Sequence, residues 1–174
     1  MNMRSMTKPC RRGVLGWMVA VTVSTAMAGW KADTVLPDLT ACKLEGSLPP
    51  IAGKVVLLDF WASWCGPCKA SFPALDELQG RYAARGLVVI AVNLDDKSEA
   101  MQAFLKEHPV AFTVVRDASH KLVQLADVQS MPSSFVIDRS GKVRFIHTGF
   151  HGQKTIEAYT TQIESLLQEK GVTK

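Results

Sequence analysis

No internal repeat and no low-complexity stretch occurs in the sequence, so nothing in it argues for a repeat array or a disordered tract. It also lacks acidic residues over its first 28 positions, and beyond them it has no surplus of charge. Arg4, Lys8, Arg11 and Arg12 account for the whole net charge of +4; without them, 16 basic residues face 16 acidic ones. Nucleic-acid binding needs a basic footprint, so no nucleic-acid partner is expected. Cysteine is scarce, with four in 174 residues. A zinc site needs a second pair of N or S ligands. Neither Cys42 nor His108, His120, His147 or His151 stands at metal-ligand spacing from the one close pair, Cys65 and Cys68. No metal and no organic cofactor are expected. What is present is ordinary for a folded domain with its own core: 47% apolar and 21% charged residues.

The four early basic residues precede an uncharged run from Gly13 to Trp30, which passes through Ala26-Met27-Ala28. A basic start, an apolar middle and small residues at alternate positions are the parts of a secretory signal. Residues 1–28 are therefore read as a signal peptide removed after Ala28. The alternative is an uncleaved membrane anchor, because the 18-residue run is close to the roughly 20 that span a bilayer. Cys10 would leave with the signal, and Cys42 would remain as an odd thiol, read as a small buried hydrophobe.

Residues 29–53 are a turn-rich lead-in containing Pro37, Gly46, Pro49, Pro50 and Gly53, expected to be irregular or a short hairpin. Lys54 to Trp61 reads as a strand buried on both faces. A helix follows to Arg85, with Phe72, Leu75, Leu78 and Tyr82 at helical spacing and Pro73 inside it, where a kink is expected. Leu87 to Leu94 is a second buried strand, so the order strand, helix, strand argues for a parallel pair with a crossover. Further on come a helix over Lys97–Glu107 with Ala100, Met101, Phe104 and Leu105 as its stripe, a strand over Val110–Val115 and a short helix over Ser119–Ala126. Ser134–Asp138 and Lys142–His147 form an antiparallel hairpin around Asp138-Arg139-Ser140-Gly141. Lys154–Glu169 closes the chain as a helix. The fold class is α/β, a mixed central sheet with helices on both faces.

Chemistry concentrates where the first strand runs into Trp64-Cys65-Gly66-Pro67-Cys68. Two cysteines at i and i+3 opening a helix are not equivalent. Cys65 sits at the positive end of the helix dipole, where free backbone donors favour a thiolate, and reads as the exposed, acidic nucleophile. Cys68, a turn further in, reads as the resolving thiol, and Pro67 stands where its missing donor costs nothing. Asp59 is a carboxylate among Leu57, Leu58, Phe60 and Trp61; burial beneath the dithiol would raise its pKa and let it accept the proton of Cys68. Trp61 reads as core and Trp64 as a contact for substrate or a shield over the thiols. The same Cys-x-x-Cys is open to a rival class of function, a copper or zinc binding and delivery module.

The segment Asp59-Phe60-Trp61-Ala62-Ser63-Trp64-Cys65-Gly66-Pro67-Cys68-Lys69 resembles the active site of thioredoxin. Pro73-Ala74-Leu75-Asp76-Glu77-Leu78 continues the likeness, Met131-Pro132 before Ser134-Phe135-Val136-Ile137 matches the family's cis-proline loop, and Gly149 matches the glycine after its last strand. The resemblance implies the thioredoxin fold over residues 54–174, with Pro132 in cis against the dithiol. It also implies that client peptides lie along Trp64, Gly66, Pro67, Met131 and Pro132, with Met131 pairing through its backbone. The export segment and an extra strand and helix between Lys97 and Val115 make the chain similar to extracytoplasmic proteins of the TlpA, ResA and DsbE type. That likeness implies a monomeric periplasmic thiol-disulfide oxidoreductase acting on protein thiols or disulfides, in cytochrome c maturation or general thiol reduction. Its electrons would come from a membrane donor of the CcdA or DsbD type. The cytochrome-maturation members commonly carry an acidic residue three positions after the second cysteine. This chain has Ser71 there and Asp59 in the strand, which implies the broader reductase role. Gly-Pro between the cysteines resembles the reducing members of the fold.

Overall fold

The computed structural model describes Met1 and residues 29–169. The expected signal segment, Cys10 within it, and residues 170–174 at the end of the expected thioredoxin-like domain lie outside the described residues. Strand β1 (Val55–Trp61) is an unbroken apolar run but for Asp59, and all seven of its residues are buried. A strand covered on both faces belongs in the middle of a sheet. Accordingly β1 pairs in parallel with β2 (Leu87–Asn93) and antiparallel with β4 (Ser133–Ile137). β3 (Thr113–Arg116) and β5 (Val143–Thr148) complete the order β3-β2-β1-β4-β5. The parallel pair requires a crossover, which α1 (Gly66–Tyr82) supplies, running on through Pro73. β4 returns to β5 as the expected hairpin, with Gly141 at φ +84° closing its turn.

Alternation along β1 divides the core. Val55, Leu57 and Trp61 face a layer built from α1, from Phe104 of α2 (Ser98–Glu107) and from Tyr159, Ile163 and Leu166 of α4 (Gln153–Gln168). Val56, Leu58 and Phe60 face Leu122 of α3 (Lys121–Ala126) and the lead-in residues Trp30, Leu39 and Cys42. Helices thus cover both faces, and α2 with β3 is the expected additional helix and strand.

Several boundaries differ from the sequence expectation. Of the two forms expected of the lead-in, it takes the irregular one. It crosses one face of the sheet through a 3-10 turn at Leu39–Cys42, bridging Val35 to Lys142 beside β5 and Glu45 to Arg116 at the end of β3. Arg116 anchors that crossing with a two-pronged ion pair to Glu45, at 2.8 Å on each prong, and donates to the carbonyls of Asp95 and Asp96. α3 begins two residues later than expected because the Asp117 carboxylate accepts from the backbone N–H groups of Lys121 and Val123, which fixes the first turn. On α2 only Phe104 of the expected stripe is fully buried, because that helix packs at the periphery of the core.

Candidate active site

β1 ends at Trp61, and a tight turn follows in which the Cys65 N–H donates to the Ala62 carbonyl. Both oxygens of Asp95, on the loop after β2, accept from the Ser63 N–H at 3.1 and 3.2 Å. Oδ1 of Asp95 also accepts from the Ser63 hydroxyl, and Oδ2 accepts from the Asn93 amide. This buried carboxylate fixes the backbone two residues before the first cysteine. Cys65 is then the N-cap of α1, with its Sγ accepting from the Cys68 N–H at 3.3 Å and Pro67 in the first turn. Cys65 and Cys68 are joined as a disulfide, with Cα atoms 5.3 Å apart.

The two sulfurs are unequally reachable, although not as the sequence suggested. Cys65 is only 6% exposed rather than openly so, because the surrounding rim leaves it one approach, and Cys68 is fully buried at 0%. That approach is a cavity of about 500 Å³ lined by Trp64, Cys65, Gly66, Pro67, Met131 and the α3-side residues Leu94, Val123, Val128, Gln129 and Ser130. Trp64 stands out at 71% exposure, whereas Trp61 is core. A Cβ on Gly66 would meet nothing within 4 Å, so this part of the rim is open. Met131-Pro132 is a cis peptide, and Pro132, also named from sequence as a client contact, is buried and does not line the cavity. Trp64, Gly66, Pro67 and Met131, named from sequence, therefore converge with Cys65 on one concavity.

Asp59 is 1% exposed and lies on the same face of β1 as Leu57 and Trp61, the face packed by Cys68, Phe72 and Leu75 of α1. Its partner in the β1–β4 register is Ser134, whose hydroxyl donates to Oδ1 at 2.5 Å. Ser134 Oγ also meets Tyr159 Oη of α4 at 2.6 Å. Among the described residues, Oδ2 of Asp59 has no hydrogen-bond partner, nor has Nε1 of Trp61. Burial pushes the Asp59 pKa up from 3.8 to about 7, against the lowering pull of the Ser134 hydrogen bond. Tyr159 is raised as well, by burial first and then by the nearby Asp59 charge.

Asp95, Ser134 and Tyr159 were not singled out by the sequence. Ser134 carried little signal, since it stands beside Ser133 at the start of its strand, where a polar residue is unremarkable. His147, the last residue of the expected second hairpin strand, is half-buried: its ring stands edge-on to Tyr159 at 4.8 Å and its Nε2 meets Gln162 Oε1 at 2.7 Å. Cys42 is a buried free thiol whose pKa is raised by burial, as expected of a small hydrophobe. Among the described residues no group of three or more His, Cys, Asp or Glu side chains is placed to share a metal ion.

A sheet of this order with Cys-x-x-Cys opening α1, and a cis-proline loop sharing its cavity, defines a thioredoxin-type thiol-disulfide oxidoreductase. Comparison with known proteins agrees, and the chain belongs to the redoxin family of the thioredoxin superfamily, whose family model, described as Redoxin, matches residues 31–163. It is 34% identical to the thiol-disulfide oxidoreductase ResA of Bacillus cereus over 129 residues, 74% of this chain and 73% of ResA. The thioredoxin-like protein YneN of Bacillus subtilis is 34% identical over 151 residues, 83% of this chain and 88% of YneN. Among solved structures, a Chlorobium tepidum protein assigned as thiol:disulfide interchange protein DsbE matches with a TM-score of 0.66 and 43% identity, covering 80% of this chain and 96% of that one.

Proposed function

We propose that the chain is an extracytoplasmic reductant of protein disulfides in which Cys65 attacks, Cys68 resolves and Asp59 moves the proton. The observation that carries this reading is the unequal access to the pair: Cys65 lines the cavity and Cys68 does not. In the dithiol form the Cys65 thiolate, favoured at the N-terminus of α1, attacks one sulfur of a client disulfide and releases the other as a client thiolate. Cys68 then gives its proton to the Asp59 carboxylate and attacks Cys65 Sγ. The mixed disulfide breaks, the second client thiol leaves, and the Cys65–Cys68 disulfide forms. The client segment lies against Trp64, Gly66, Pro67 and the Met131-Pro132 loop, and the redox equivalents reside in the cysteine pair itself.

The basic and apolar start of the sequence supports export, and export to an oxidising compartment calls for a membrane dithiol donor of the CcdA or DsbD type to recharge the pair. Ser71 supports a general client range rather than dedicated cytochrome c maturation. It is buried and its hydroxyl donates to the Cys68 carbonyl at 2.8 Å, so no acidic side chain stands at that position. The protein acts as a monomer in this reading. The test is Cys68→Ser expressed in an exporting host. It should accumulate mixed disulfides through Cys65, identified by mass spectrometry, that vanish in the Cys65→Ser, Cys68→Ser double variant. Equal capture by the double variant would refute the assignment.

A further inference from the structure

We propose that Ser134 and Tyr159 are positioning residues of the exchange reaction: their hydroxyls donate in series to Oδ1 of Asp59 and leave Oδ2 as the atom that takes the proton of Cys68. This rests on the reading of Asp59 given above and adds the hardware that makes a buried carboxylate usable there. The direction of the chain follows from donor and acceptor counting. An ionised carboxylate only accepts, so Ser134 must donate its single proton to Oδ1 across the 2.5 Å contact. Ser134 Oγ can then serve Tyr159 only as an acceptor, so Tyr159 donates across 2.6 Å. Among the described residues Tyr159 Oη makes no other hydrogen bond. Protonating Oδ1 would turn Ser134 around and leave the Tyr159 proton without an acceptor. Protonating Oδ2, which is buried and has no partner among the described residues, leaves both donations in place, and its new O–H can donate back to the Cys68 thiolate that gave the proton.

The arrangement is held from three sides. The β1–β4 register sets Asp59 opposite Ser134, the β4–β5 register sets Ser134 opposite His147, and α4 lays Tyr159 over the row. The titratable groups around Asp59 are then Tyr159 of α4, the Cys65–Cys68 pair of α1 on the same face, and His147 of β5, which reaches Tyr159 only edge-on at 4.8 Å. β2 places only Ala91 opposite Asp59. Among the described residues Ser134 alone donates to this carboxylate, and Tyr159 acts on it through Ser134.

The experiment follows the Asp59 carboxyl carbon by ¹³C NMR across pH in the disulfide form, where neither active-site cysteine titrates. Ser134→Ala should move the midpoint upward by about one pH unit or more, roughly a tenfold change in proton affinity. Tyr159→Phe keeps the ring and should move it upward by less, while Ser134→Thr keeps the hydroxyl and should hold the wild-type midpoint. The pH profile of the resolving step in the dithiol protein should shift in the same order. An unchanged or lowered midpoint in folded Ser134→Ala overturns the proposal. So does an unchanged midpoint in Tyr159→Phe, which serves alone where Ser134→Ala does not fold, and so does a shifted midpoint with an unshifted rate profile. Asp59→Asn separates the two claims. If it resolves as fast as wild type, the proton-transfer reading itself fails; if it is slow while Ser134 and Tyr159 are silent, only the positioning claim fails.

Discussion

Replacing Asp59 with Asn removes a proton-binding site from a place where its charged form is unwelcome, and the consequence for stability is calculable. The carboxyl titrates at an ordinary 3.8 in the unfolded chain and at about 7 in the fold, with burial as the main cause. Because the folded-state value is the higher one, the folded protein binds the proton more tightly between the two. Stability is therefore undiminished by this group below about pH 4, falls as pH rises from about 4 to 7, and is level above that. The span of about three pH units corresponds to about 4 kcal/mol, a large share of the 5–15 kcal/mol that holds a typical domain together. Asn carries no such term. Its amide would instead set two donors, where the neutral carboxyl sets one, at an atom with no partner among the described residues, a cost of about 1–3 kcal/mol that does not depend on pH. Asp59→Asn should thus be the less stable protein at pH 4 and the more stable at pH 8, with the difference between the two changing by about 4 kcal/mol over that range. Urea unfolding of both proteins in the disulfide form, at intervals from pH 4 to 8, reads this directly, because every other titrating group cancels. A difference that stays flat within about 1 kcal/mol would refute the assignment of a neutral-range carboxyl to this position.

Asp95→Ala strips the acceptor from two Ser63 donors and from the Asn93 amide, and should cost about 3 kcal/mol in urea unfolding, with Asp95→Asn losing less. Phe104→Ala, at the meeting of the Trp61, Phe72 and His108 rings, should cost about 3–5 kcal/mol. The exposed Trp64→Ala should stay within about 0.5 kcal/mol of wild type and yet slow reduction of a protein client such as insulin. Arg116→Ala should loosen the lead-in more than Glu45→Ala, because Arg116 also holds the Asp95 and Asp96 carbonyls; faster amide exchange over residues 29–53 is the readout.

What could be read from the sequence is what local composition dictates. β1 announced itself as an unbroken apolar run, the hairpin as turn residues between two short apolar segments, and Asp59 as a charge with no local reason to be there. The cysteine pair was legible because its chemistry needs only four consecutive residues. The cis bond at Met131-Pro132 was legible only through resemblance, since nothing in the dipeptide itself dictates it. The Ser134 and Tyr159 contacts were out of reach for a different reason. They join positions 75 and 25 residues apart, and they exist only once the antiparallel register of β1 and β4 is set. The course of the lead-in was hidden likewise, because bridging both edges of a sheet depends on knowing which strands the edges are. The late start of α3 shows the same limit at short range. The hydrophobic pattern located the helix, while the carboxylate of Asp117 decided its first turn.

The central claim, that the Cys65–Cys68 pair works as a reductant, is tested most directly by its equilibrium reduction potential, measured in thiol-disulfide buffers at pH 7 with the full chain. A reductant should show a value near that of thioredoxin, about −270 mV, whereas a value near about −120 mV, typical of a dedicated oxidant, would refute that role. The two outcomes differ by about 7 kcal/mol in the free energy of the pair, well beyond the error of the measurement.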